Sequence, residues 1–177
     1  MKKNVYYLTQ GALIAALYTV LTVVAGSLNL ASGVIQVRFS EALTILPAFT
    51  GAAIPGLFLG CIISNILTGC HYLDVIFGSL ATLIGAVGTY LVTHRHSEGK
   101  WLPKESKASK YLCPLPPVLA NTLIVPFILS YVYMFEGAIW FFMLTVGAGE
   151  ILSCFFCGLV LFNALHPIRD KIFGVRE

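Results

Sequence analysis

Arg38, Glu41, Asn65, Asp74 and Glu150 are the residues whose types and spacing could do chemistry together, because each stands in an otherwise apolar stretch. Between Gln36 and Ser79 the charged residues are Arg38, Glu41 and Asp74 alone. Arg38 and Glu41 lie three positions apart, so on a helix they share a face. Their other role would be a structural ion pair that neutralises itself. Asp74 could equally cap a helix, since Asp is a favoured residue at a helix start. Glu150 has no Lys or Arg near it in sequence. Glu41, Asp74, Glu136 and Glu150 set four acids against Arg38. Such a site expects a ligand that is cationic, or neutral with many hydrogen-bond donors. A phosphate or carboxylate ligand would want the reverse balance. Tyr72 and Trp140, with Phe39, Phe77 and Tyr133, could stack on a planar ring, a contact worth about 1–3 kcal/mol in base-binding proteins. Aromatics at a membrane interface also form the usual belt.

The elements that must position these residues follow from composition. The 177 residues are 58% hydrophobic and 11% charged, with a mean hydropathy of +0.86. Ordinary soluble domains are about 25% charged, so a soluble globular domain, a disordered chain and a basic nucleic-acid binder are excluded. The chain reads as an all-α integral membrane protein. Each helical span needs about 20 mostly apolar residues, so six spans take about 120. The expected spans are 9–28, 38–50, 54–70, 74–94, 115–134 and 139–165, in one transmembrane domain covering 1–177. Gly51 and Pro55 bracket a break, and the Pro114, Pro116, Pro117 cluster suits a helix start. Residues 95–113 read as a solvated loop.

An acid at mid-bilayer costs roughly 2.5–3.5 kcal/mol on insertion scales, so Glu150, nearly midway through the last span, should face an interior or wet cavity. The formal net charge of +3 identifies no partner, but it orients the chain. Lys2, Lys3, Arg95, Lys100, Lys104, Lys107, Lys110, Arg169, Lys171 and Arg176 all fall on one side of a six-span bundle. Lys and Arg favour cytoplasmic loops, so both termini are expected in the cytoplasm. A rival reading makes the start a signal peptide cleaved near Ala25 to Ser27, which would leave the remaining orientation unchanged. The length of the apolar run and its small-residue spacing favour a first span.

Other motifs are weak. There is no phosphate-binding G-x-x-x-x-G-K-[ST] loop, because Gly99-Lys100 is followed by Trp101. Five cysteines give no disulfide framework and no metal signature, and Cys61, Cys70, Cys113, Cys154 and Cys157 all read mostly as small apolar fillers. No nucleophile–base spacing is visible, and no cofactor is expected. Gly11, Ala12, Ala15 and Ala16 give overlapping small-residue pairs, and Gly56 and Gly60 form G-x-x-x-G, spacings that let helix backbones approach closely. For Gly56 and Gly60 the expected role is packing within the protein.

The run from Val37 to Pro47 (VRFSEALTILP), continued by Ala53 to Asn65 (AIPGLFLGCIISN), resembles the QueT family, as do Asp74 to Leu83 (DVIFGSLATL) and the Gly149-Glu150 pair. The resemblance runs over about residues 5–165. It implies a substrate-specific S-component of an energy-coupling factor (ECF) transporter, a multi-pass protein of the bacterial plasma membrane. Its partners would be a coupling transmembrane subunit and two cytoplasmic ATPases, with no nucleic acid. Ala12 and Ala16 fit the spacing of the face by which S-components dock to the coupling subunit. The implied ligand is a queuosine precursor, 7-aminomethyl-7-deazaguanine, carried inward as the S-component topples in the bilayer. With that ligand, Glu41, Asp74 and Glu150 are candidates for two acid roles, on the ring edge and on the aminomethyl cation, and either Asn65 or Arg38 could donate to the ring oxygen. Which acid takes which role stays open. The outer loop from Asn29 to Val37 could close over the ligand. An S-component for queuine, queuosine or a vitamin, and a small membrane enzyme using Glu41 or Glu150 as a base, are the competing readings.

Overall fold

The computed structural model describes residues 2–28, 38–97, 100–103 and 107–173. The loop expected to close over a ligand, Asn29 to Val37, lies outside the described residues. The chain runs through α1 (Lys2–Ser27), a 3₁₀ helix (Phe39–Ala48), α2 (Ala53–Leu67) and α3 (Tyr72–Thr93). A short hairpin of β1 (His94–Ser97) and β2 (Lys100–Pro103) follows, then α4 (Lys107–Leu112) and α5 (Leu115–Tyr131). The last rod is α6 (Ile139–Glu150), a π-helical stretch (Ile151–Cys157) and α7 (Gly158–Leu165), ending in a 3₁₀ turn (His166–Ile168) and α8 (Arg169–Ile172).

Four stretches are long and apolar enough to cross a membrane, namely Asn4–Ser27, Tyr72–Thr93, Ala108–Tyr131 and Ile139–Ile172, and Ala53–Leu67 is a shorter apolar helix. The distribution of polarity is that of a protein embedded in lipid. Leu13, Leu17, Val20, Ile63, Ile84, Leu123 and Leu144 face outward, while Thr22, Ser40, Thr44, Ser64, Thr82 and Asn121 are buried. Lipid takes apolar surface at no cost, whereas an unpartnered polar group in hydrocarbon costs several kcal/mol. The helical threonines meet that demand locally: Thr22 and Thr82 donate to the carbonyls of Tyr18 and Gly78, four residues back.

The second expected span is the main departure. Its helical core is ten residues of 3₁₀ helix rather than α-helix. Seven of those ten, Ser40, Glu41, Leu43, Thr44, Ile45, Leu46 and Pro47, are buried. The segment is wrapped by α1, α2, α3, the π stretch and α7. A 3₁₀ helix rises about 2.0 Å per residue, so ten residues cover about 20 Å with little bulk. Pro47, which has no N–H to donate, closes it. Pro55 does not break the chain. It sits in the first turn of α2, where N–H groups lack helical partners anyway.

Glycine sets the closest approaches. A Cβ on Gly56 would stand 2.7 Å from the Gly11 carbonyl oxygen, and one on Gly60 would stand 2.9 Å from Ala15 O and from Tyr18 Cβ. The G-x-x-x-G pair therefore packs α2 onto α1, as expected. Across the bundle, Gly85 and Gly88 admit Pro117 and Pro116 of α5 against α3. The end of the segment read as a loop also packs here: Ser109 and Cys113 are buried, and Thr89 Oγ1 donates to Cys113 O at 2.8 Å.

At the end of the bundle where α1 begins, α8 closes onto α1. Tyr6 Oη donates to Ile172 O at 2.6 Å, and Phe49 packs between Phe162 and Phe173 with ring centroids 4.8 and 5.6 Å away.

Candidate functional site

The buried acids lie elsewhere in the bundle, in two tiers. The deeper tier centres on Glu41. Its element, the 3₁₀ helix, is enclosed on all sides, so the carboxylate must be answered by protein. Tyr18 of α1 donates its hydroxyl to Glu41 Oε1. Asn121 of α5 donates Nδ2 to Glu41 Oε2 at 3.4 Å. Glu150 ends α6, and Cys154, one turn on, donates its thiol to Glu150 Oε2 at 3.1 Å. Both belong to the rod where α-helix passes into π-helix, a distortion found often at functional sites. Donor atoms of Glu41, Glu150 and Cys154 all lie within 4.8 Å of one another. Two carboxylates and a thiol could chelate a cation, but among the described residues no histidine or second cysteine joins the group to complete a tetrahedral zinc set.

The shallower tier centres on Asp74 in the first turn of α3. It owes its placement to the turn before it. The N–H of Cys70 bonds back to Asn65 O at 2.9 Å and that of Gly69 to Ile66 O at 3.1 Å, the paired bonds of a Schellman cap. Gly69 takes φ +72°, which an L side chain would resist. This stop leaves Asn65 buried near the end of α2 and facing α3. A Cβ on Gly78 would lie 3.0 Å from Asp74 Oδ1 and 3.3 Å from Asn65 Nδ2, so both side chains meet over that glycine. Tyr133, in the connection between α5 and α6, donates to Asp74 Oδ2 at 2.9 Å and accepts from the His71 N–H at 3.2 Å. Burial, helped by the neighbouring Asp74 charge, holds the Tyr133 phenol well above its ordinary pKa, so it stays a donor at neutral pH.

Asp74 is not the helix cap. That place is taken by His71, whose Nδ1 accepts from the Leu73 N–H at 3.3 Å, leaving the Asp74 carboxylate free to point inward. Nor do Arg38 and Glu41 form a self-contained pair. Arg38 precedes the 3₁₀ helix with extended backbone, φ −107° and ψ 109°. Its buried Nε has no hydrogen-bond partner. Its guanidinium lies within electrostatic reach of Asp74, Glu41 and Glu150, and so bears on both tiers.

Arg38, Glu41, Asn65, Asp74 and Glu150 are thus brought together. Tyr72 and Trp140 are not: each is 65% exposed on the outside of the bundle. Tyr72 and Trp140 begin or nearly begin α3 and α6, and their helices turn them to the lipid side, where aromatics serve as interface anchors. Glu136 is exposed in the turn between α5 and α6. Ala12 and Ala16 lie together on the exposed side of α1.

Sorting by charge missed three members of the deeper tier. Tyr18 and Asn121 are uncharged, and only their position as polar residues deep in apolar spans marked them. Cys154 and Cys61 read as fillers, yet Cys154 bonds Glu150, and Cys61 Sγ accepts from Thr82 Oγ1 at 3.4 Å and from Asn65 Nδ2 at 3.6 Å. The four-residue spacing of Glu150 to Cys154 was the available signal.

Comparison with known proteins bears on this geometry. The family described as QueT transporter matches residues 8–167. Over 83 residues the chain is 39% identical to the protein named Queuosine precursor transporter QueT of Lactococcus lactis subsp. cremoris (strain MG1363). That alignment covers 47% of this chain and 48% of the relative, so the chain spans about half the length of the curated relative it matches. No solved structure matches. A family match over nearly all the apolar helices, with a lipid-facing exterior and a polar interior, makes this a multi-pass membrane protein, and the chain belongs to the QueT transporter family.

Proposed function

We propose that the chain is the substrate-binding membrane subunit of an ECF-type importer, and that its ligand is a queuosine precursor, 7-aminomethyl-7-deazaguanine. In this reading the six apolar elements form one S-component-like transmembrane domain with both termini in the cytoplasm. A coupling transmembrane subunit docks on the Ala12 and Ala16 face, and two cytoplasmic ATPases supply the hydrolysis. The chain itself performs no catalysis.

The observation that carries the reading is the convergence of Arg38, Glu41, Asn65, Asp74 and Glu150, from four separate parts of the chain, inside a lipid-facing shell. Burying three acids with one arginine is unfavourable unless something of matching chemistry completes the set. A deazaguanine presents an N–H and an NH₂ on one edge, from both of which a carboxylate can accept. Its ring oxygen wants a donor, which Asn65 or Arg38 supplies. Its aminomethyl group is cationic and wants a second carboxylate. The name of the Lactococcus relative points to the same class of ligand.

The test is direct binding of 7-aminomethyl-7-deazaguanine to the purified protein in detergent, measured by calorimetry. Saturable binding is expected, weakened at least about tenfold by Asp74→Asn and by Glu150→Gln, the loss of a charge-assisted hydrogen bond. Absence of saturable binding, or two variants that bind as the wild type does, would overturn the reading.

A further inference from the structure

The two tiers differ in charge balance, and that difference assigns them different parts of a ligand. In the deeper tier two carboxylates, Glu41 and Glu150, face each other with neutral neighbours: the Tyr18 hydroxyl, the Asn121 amide and the Cys154 thiol. In the shallower tier a single carboxylate, Asp74, takes a hydrogen bond from the Tyr133 hydroxyl and lies beside the Asn65 amide over Gly78. The shallower tier thus holds one acid and the deeper one two, packed within 4.8 Å of each other, with a single arginine within reach of all three.

Depth separates them as well. Asp74 is in the first turn of α3, whereas Glu150 ends α6, which starts at Ile139. At 1.5 Å per residue, Glu150 lies about 17 Å along its helix.

We infer, building on the deazapurine reading above, that Glu41 and Glu150 form a subsite for a primary ammonium, while Asp74 and Asn65 read the edge of the planar ring. The ligand then sits with its charged arm inward and its ring toward the outer mouth. An ammonium has three donors, which suit the two carboxylates and the Asn121 carbonyl oxygen. Asp74 accepts the paired N–H groups of the ring edge. The buried, unpartnered Nε of Arg38 donates to the ring oxygen. The deeper tier thereby selects the charged ligand over a neutral one of the same ring.

Two probes test this on the full-length protein: 7-aminomethyl-7-deazaguanine, and its neutral counterpart with a nitrile in place of the aminomethyl group. The wild type should prefer the ammonium by at least about tenfold. Glu150→Gln and Glu41→Gln should each bring the two affinities to within about threefold, with nitrile binding retained. Asp74→Asn should weaken both probes by a similar factor and keep the preference. Equal wild-type affinities, or a preference lost in Asp74→Asn and kept in both glutamine variants, would overturn the assignment while leaving the deazapurine reading intact. Failure of both probes to bind the wild type removes that reading, and the assignment with it. Should one glutamine variant not purify as a monodisperse species, the other carries the same comparison, and the wild-type preference stands by itself.

Discussion

Glu41 is the residue on which most depends, and it is held by groups that are not charged. Its carboxylate takes one hydrogen bond from Tyr18 and one from Asn121, and both donors are buried. Removing a donor from a buried carboxylate leaves an unpaired lone pair, at a cost of about 1–3 kcal/mol. Tyr18→Phe should therefore lower the midpoint of thermal unfolding in detergent while leaving the volume of the interior nearly unchanged. An unaltered midpoint would show that Tyr18 does not support Glu41. The sequence made the five central polar residues legible because a charge or amide in an apolar run is conspicuous. It made Tyr18 much less so, because a tyrosine in a membrane span is ordinarily an interface residue, and only the fold reveals that this one lies fully inside. Tyr72 and Trp140 went the other way for the same reason: aromatic identity says nothing about which side of a helix faces lipid.

Elements meet at glycine in this bundle, and the closeness of α1 to α2 is what brings Tyr18 to Glu41. Gly60 has no room for a Cβ, with Ala15 O and Tyr18 Cβ each 2.9 Å from where one would stand. Gly60→Ala should separate the helices and cost about 1–3 kcal/mol, as overpacking does. Differential scanning fluorimetry reads this as a lower midpoint, and an unchanged midpoint would mean that the two backbones are not in contact there. The small-residue spacing that predicts this contact is local and survives in the sequence. The 3₁₀ geometry of the second element does not. Its apolar residues around Glu41 read as a helical span, and nothing local in them marks a 3₁₀ rather than an α geometry; the five elements packed on it are visible only in the fold. The Schellman stop at Gly69 was equally hidden, since its effect on Asn65 and Asp74 appears only when α2 and α3 are packed.

For the whole molecule, the exposed side of α1 is the place to ask about partners. Ala12 and Ala16 form a row of small side chains beside Leu13 and Leu17 on that side, all four exposed. Under the ECF reading, Ala12→Trp or Ala16→Trp should abolish co-purification of the coupling subunit and leave ligand affinity within about twofold of the wild type, since neither residue contacts the interior. Normal co-purification by both variants would remove the row from the interface. The membrane character of the molecule was plain from composition alone. Its inner architecture was not, because hydropathy measures what lipid tolerates and not what the interior requires.

The 3₁₀ segment also has a consequence for how the protein is made. Ten residues containing Glu41 cannot reside alone in hydrocarbon, because they are too short to span it as an α-helix and carry an acid whose side-chain donors come from α1 and α5. When α1 and α2 leave the ribosome, the partners of this segment in α5, the π stretch and α7 do not yet exist. The buried polar cluster is therefore expected to close only when the second half of the chain arrives, together with the completed bundle.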